Sequence, residues 1–181
     1  MEHTFAYKGE IYITKLEYLY ELALHEHIDI HFFNLKEIGL LGLNVTKENV
    51  PHMIFLDNSI KKDRRLHTST LAHELGHYFT SFGNSIEQTN YTKKILNGKY
   101  ENKADKWACE FLVPEQDLCD VLIKNITCIH ELAESLDVDM EILLKRLEYL
   151  ALQKQTIKIS DTKCLILTNL PNLYFYEDIQ L

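Results

Sequence analysis

The sequence predicts an α+β fold. Its expected order is an N-terminal helix, a small three-stranded antiparallel sheet, an HExxH helix and a glutamate helix, followed by a C-terminal helical segment. Three observations predict it. Apolar residues recur at helical spacing in several separate stretches, three short strand-like runs crowd between residues 28 and 57, and no internal repeat or low-complexity tract intervenes.

The first helix is expected over residues 14–27, where Leu16, Leu19, Tyr20, Ala23 and Leu24 fall on one face. Ile28–Phe33, Gly39–Val45 and Pro51–Asp57 are the strand-like runs, separated by polar turns. Pro51 has no N–H to give, so it suits a strand start or an edge. Asp63 then reads as the cap of a helix reaching Phe82, ended by Gly83-Asn84-Ser85. Residues 83–99 show no clear period and read as a loop, with one helical turn around 92–96. A helix from Tyr100 to Val113 stops before Pro114. Pro114 opens another, to Lys124, and two short ones follow at 130–136 and 139–149. The tail from Thr156 is strand-like. Residues 1–125 are expected to form one domain, and 126–181 a small helical segment with a strand-like tail packed on it.

The chemistry concentrates at His73-Glu74-Leu75-Gly76-His77. Histidines four apart on a helix project to the same side and can share one zinc ion, with Zn–N near ~2.0 Å. The glutamate between them is placed to hold the attacking water and take its proton, while zinc acidifies that water and polarises a scissile carbonyl. An ordinary surface helix gives a similar wheel: Leu71, Leu75, Phe79 and Phe82 form an apolar stripe, with Thr70, His73, Glu74 and His77 roughly opposite. Two features separate the readings. Gly76 in mid-helix costs about 1 kcal/mol against alanine, and with Ala72 it lets another backbone come close. In the next helix, Ala104, Trp107, Ala108, Phe111 and Leu112 form the core stripe, and Asn102, Lys103, Lys106 and Glu110 the wet side. Glu101 and Asp105 fall on the inward edge, where a carboxylate is costly unless paired or bound to metal. Glu101 therefore supplies a third ligand. Asp105, one turn on, can accept the far N–H of a ligating histidine. Three protein ligands leave a coordination position open, as in catalytic rather than structural zinc sites.

Composition narrows the function classes. The net charge is −8, from 27 acidic and 19 basic side chains, which disfavours non-specific nucleic-acid binding. Within 127–150, Glu131, Glu134, Asp137, Asp139, Glu141 and Glu148 face only Lys145 and Arg146, so the two helices there do not suit phosphate contacts. No apolar run approaches the ~20 residues of a membrane helix, and Met1–Phe5 does not begin a signal peptide. Cys109, Cys119, Cys128 and Cys164 lack CxxC spacing and are expected to be reduced thiols of a cytoplasmic protein.

The runs RLHTSTLAHELGHYF (65–79) and ENKADKWACEFLVP (101–114), continuing through HELAESLDVDMEILLKRLEYL (130–150), resemble the ImmA/IrrE family of metallo-endopeptidases, with a minimal gluzincin-like core. The resemblance implies His73, His77 and Glu101 as zinc ligands and Glu74 as general base. It implies as substrate a helix-turn-helix transcriptional repressor, often encoded on a mobile genetic element or in a stress circuit, whose cleavage relieves repression. Where that family often has Glu-Ala-Asn, this chain has Lys103-Ala104-Asp105. An aspartate can still accept from an imidazole.

Two rivals stand beside a repressor-cleaving peptidase. One is a zinc-dependent regulator that binds a repressor without cutting it, which has no need of Glu74. The other is a zinc hydrolase of non-peptide substrates, which has no need of a free strand edge; Gly39–Val45 or Pro51–Asp57 could be that edge. Tyr91, Tyr100, His130 and His67 are the chemically suitable candidates for stabilising the oxyanion.

Overall fold

The computed structural model describes residues 13–46, 50–81, 90–126 and 128–178. The chain divides after Phe111 into two compact units.

The first unit opens with α1 (Lys15–His25). Its start is fixed by a reciprocal cap: the Thr14 hydroxyl oxygen accepts from the Glu17 N–H, and the Glu17 carboxylate accepts from the Thr14 N–H. The helix buries Leu19 and Ala23. Strands β1 (Asp29–Phe33), β2 (Gly42–Val45) and β3 (Met53–Asp57) form one sheet in the order β1-β3-β2. β2 pairs with β3 antiparallel, as expected, but β1 pairs with β3 in parallel, so the sheet is mixed rather than antiparallel. The physical reason is burial. β3 is the most buried of the three strands, with Ile54 and Leu56 wholly enclosed, and the central place suits it. The connection over residues 34–41 crosses its end, leaving β2 as an edge among the described residues. Pro51 precedes the central strand and marks no edge.

Asp57 holds that crossing together. It is buried, and its carboxylate accepts from the backbone N–H of Lys36 (2.7 Å) and of Ser59 (2.8 Å). Hydrogen bonds from Ser59, then Lys36, hold the carboxyl down at about 2.

Helix α2 (Arg64–Ser81) is capped by Asp63, whose carboxylate accepts from the Leu66 N–H at 3.1 Å. It packs against α1, β2 and β3 and buries Leu71, Ala72 and Leu75. Helix α3 (Asn90–Leu112) starts ten residues before the expected Tyr100, so the part of the expected loop from 90 to 99 is helical. Its Asn, Thr and Gly content weakens the local helical signal, but cooperative extension from the packed stretch beyond Tyr100 carries the helix through it. Residues 83–89 of the expected loop lie outside the described residues. Four rings join the helices: Phe79 stacks on Trp107, Trp107 on Phe111, and Phe111 on Tyr18.

The second unit contains α4 (Glu115–Leu122), α5 (Ile129–Ser135) and α6 (Met140–Ala151), then an antiparallel sheet of β4 (Thr156–Lys158), β5 (Lys163–Ile166) and β6 (Tyr174–Glu177). Leu118, Leu132, Leu143, Leu147, Ile157 and Leu165 are wholly buried. The two basic residues weighed for nucleic-acid contact are both committed. Arg146 is buried and donates to the Val113 carbonyl at 2.9 Å, and Lys145 pairs with Glu141 at 3.2 Å. All four cysteines are free thiols, and no described helix is long and apolar enough to cross a membrane.

The Asp57 arrangement makes a signed prediction. A carboxyl whose folded pKa is depressed stabilises the fold above its unfolded value near ~4, and that contribution is lost as pH falls toward the folded value. Asp57→Asn should therefore melt below wild type at neutral pH, with the gap narrowing as pH drops from about 4 toward about 2. Thermal melts across that range check it; a gap indifferent to pH would contradict it.

Candidate metal centre

Helix α2 carries His73 and His77 one turn apart, and α3 carries Glu101 and Asp105 in the same relation. What brings the two pairs together is a close crossing at Gly76. A Cβ there would lie 2.5 Å from the Ala104 carbonyl oxygen and 2.9 Å from its Cα. Both obstacles are backbone, so no rotamer change could relieve them. Glycine is the residue that lets the two helix backbones approach this far. Ala72 and Ala104 are wholly buried beside it.

The consequence is convergence. His73 Nε2 lies 3.1 Å from His77 Nε2 and 3.2 Å from Glu101 Oε2, and His77 Nε2 lies 3.5 Å from Glu101 Oε1. His73, His77 and Glu101 are the group of residues that could hold a metal ion among the described residues. Three donors about 2.0–2.1 Å from one tetrahedral ion would stand ~3.3 Å from one another, close to the spacings found. The donor chemistry agrees. His73 Nδ1 lies 2.8 Å from Asp105 Oδ1; with its proton given to that carboxylate, Nε2 turns a lone pair toward Glu101. A lone pair facing a carboxylate is unfavourable unless a proton or a cation lies between them. The residues fit a divalent ion with nitrogen and oxygen ligands.

Glu101 is not as enclosed as the helical wheel suggests. Its side chain is 57% exposed, against 26% for His73, 18% for His77 and 24% for Asp105. The edge of α3 that carries it faces α2 rather than the core, and Glu101 stands at the open side of the cluster.

Glu74 differs again. The wheel assigns it to a wet face, yet it is only 6% exposed. Strand β2 covers it: Gly42 presses against its carboxylate, and Asn44 donates its side-chain amide to the Glu74 carbonyl at 2.8 Å. Burial pushes the Glu74 carboxyl up to about 7, with His73 opposing and Glu101 adding to the rise. The histidines diverge. Burial acts to lower His73, but the hydrogen bond to Asp105 and the charges of Glu74, Asp105 and Glu101 outweigh it and raise it. Burial and the neighbouring His73 lower His77, against the pull of Glu101 and Asp105.

Across 23–148, the chain matches the model of the IrrE N-terminal-like domain, a peptidase family. That span is most of the chain. The protein belongs to the M78 peptidase family. It is accordingly a metallopeptidase, a hydrolase of peptide bonds. No curated protein matches the chain significantly.

Of the other candidates of the M78 peptidase, the first unit describes the side chains of His67 and Tyr100. His67 is buried, with Nε2 2.9 Å from the Tyr20 hydroxyl and its ring against Phe32, so it serves the packing of α1 and β1 on α2. Tyr100 is half-buried on α3, one residue before Glu101. His130 belongs to the second unit, and the Tyr91 side chain lies outside the described residues. Sequence reasoning passed over Gly42 and Asn44. The available signal was Gly42 in the interior of the strand-like run Gly39–Val45, since a glycine within a strand often marks a close approach.

The Gly76 crossing can be tested alone. Gly76→Ala should cost roughly 1–3 kcal/mol of stability, as overpacking against backbone does, and should weaken metal binding by moving Glu101 away from the histidines. Denaturant melts and metal titration check this; unchanged values in both would contradict it.

Proposed function

We propose that this M78 peptidase is a zinc-dependent, site-specific endopeptidase that cleaves a helix-turn-helix repressor and so relieves repression. The observation that carries the metal reading is the convergence of two imidazole nitrogens and a carboxylate at 3.1–3.5 Å, with a buried carboxyl coupled electrostatically to them.

In this reading His73, His77 and Glu101 hold the zinc. When bound, it supplies Lewis acidity, acidifying a water and polarising a peptide carbonyl. Asp105 accepts the Nδ1 proton of His73, fixing that ring's tautomer and orientation. Glu74 is the general base: its carboxylate takes the proton of the attacking water and passes it to the departing amine nitrogen. Its burial under β2 keeps bulk solvent from competing for that proton.

The sheet supports a peptide as substrate. Among the described residues β2 is an edge strand, paired with β3 on one side, and it runs beside Glu74. An extended chain can add to such an edge through backbone hydrogen bonds. The repressor, and a cytoplasmic setting on a mobile element, rest on the family resemblance. The acidic character of the chain and the commitment of Arg146 and Lys145 support a protein rather than a nucleic acid as its direct partner.

Glu74→Gln should keep its zinc and lose repressor cleavage, on the order of 100-fold or more for loss of a general base. Cleavage of a candidate helix-turn-helix repressor followed on gels, with reporter derepression in cells, checks it. Derepression at wild-type strength by Glu74→Gln would favour a regulator that binds without cutting.

A further inference from the structure

Gly42 and Asn44 sit two residues apart on β2, so both point to the same face of the sheet, the one covered by α2. Both meet Glu74. A Cβ on Gly42 would collide with the Glu74 carboxylate: it would lie 2.8 Å from Cγ and 2.9 Å from Cδ, with Oε1 nearer still. Asn44 meanwhile clasps the main chain of the same residue through its carbonyl. The backbone at Gly42 is an ordinary strand, and the three nearest atoms that a side chain would meet there all belong to Glu74.

The geometry points to Gly42 and Asn44 as positioning residues for Glu74: the strand leaves a notch that seats the carboxylate and a clasp that fixes the helix turn bearing it. This rests on Glu74 being the general base. The two contacts set the distance between the base and the edge strand. They act through Glu74 rather than on the substrate, and neither residue belongs to the metal cluster. The obstacle at Gly42 is the end of a flexible side chain, so alanine there need not break the fold. It moves the base instead. Because Glu74 is nearly fully enclosed, few other positions are open to it.

A double-mutant cycle reads the contact without any substrate. Zinc-loaded wild type, Gly42→Ala, Glu74→Ala and the double variant are melted side by side. Gly42→Ala should lower the melting temperature of wild type but leave unchanged or raise that of Glu74→Ala, the two effects differing by roughly 2–4 °C. In the second background the methyl fills space the carboxylate has left, and alanine replaces a glycine in a strand. Equal shifts in both backgrounds would overturn the seat.

Kinetics read the positioning. On quenched-fluorescence library peptides that wild type cleaves, Gly42→Ala should lose on the order of 100-fold in kcat, with KM within about twofold and the zinc retained. Asn44→Asp, which turns a donor facing the Glu74 carbonyl into an acceptor, should show the same split and guards against a Gly42→Ala that fails to fold. Unchanged kcat in both variants would overturn the proposal. If zinc-loaded wild type cleaves neither library peptides nor repressor, the endopeptidase reading has failed, and the melting cycle still decides whether Gly42 seats Glu74.

Discussion

The first unit depends on one close approach, the crossing of α2 and α3 at Gly76 and Ala104. Each helix alone carries half a site. Two histidines on one helix, or two carboxylates on another, are ordinary surface chemistry until the backbones come close enough for their side-chain ends to meet. Glycine against alanine backbone makes that possible, and the stacked rings of Phe79, Trp107 and Phe111 hold the two helices at that setting. The glycine weakens its own helix by about 1 kcal/mol. The packing of Leu71, Ala72 and Leu75 on one side and Ala104 and Ala108 on the other offsets that cost.

A second constraint follows from the sheet. Among the described residues, placing β3 in the centre leaves β2 at one edge of the sheet and lays its inner face over Glu74. The same strand therefore shields the buried carboxyl and offers an edge to an extended chain. Exposure is graded across the cluster: Glu74 is enclosed, the histidines and Asp105 are partly covered, and Glu101 is open to water.

Much of this is legible in the sequence because it is local. The histidine pair, the intervening glutamate and the helical spacing of Glu101 and Asp105 follow from the geometry of single helices, and Gly76 announces a close approach by being out of place. Thr14 and Asp63 are recognisable caps. The illegible parts are tertiary. The wheel puts Glu74 on a wet face because it cannot know that β2 lies there, and it reads the edge of α3 as facing a core when that edge faces another helix. The parallel pairing of β1 with β3 depends on how a connection crosses the sheet, which strand patterns do not encode. The start of α3 at Asn90 is hidden because Asn, Thr and Gly in its first turns are poor local signals.

The central claim is that Glu101 completes a metal centre begun by His73 and His77. Metal analysis of purified wild type beside Glu101→Gln tests it most directly, because the amide keeps the size of the side chain while losing its charge. The account predicts about one zinc per wild-type chain and a clear loss in Glu101→Gln under the same dialysis. Equal zinc in both proteins would contradict it.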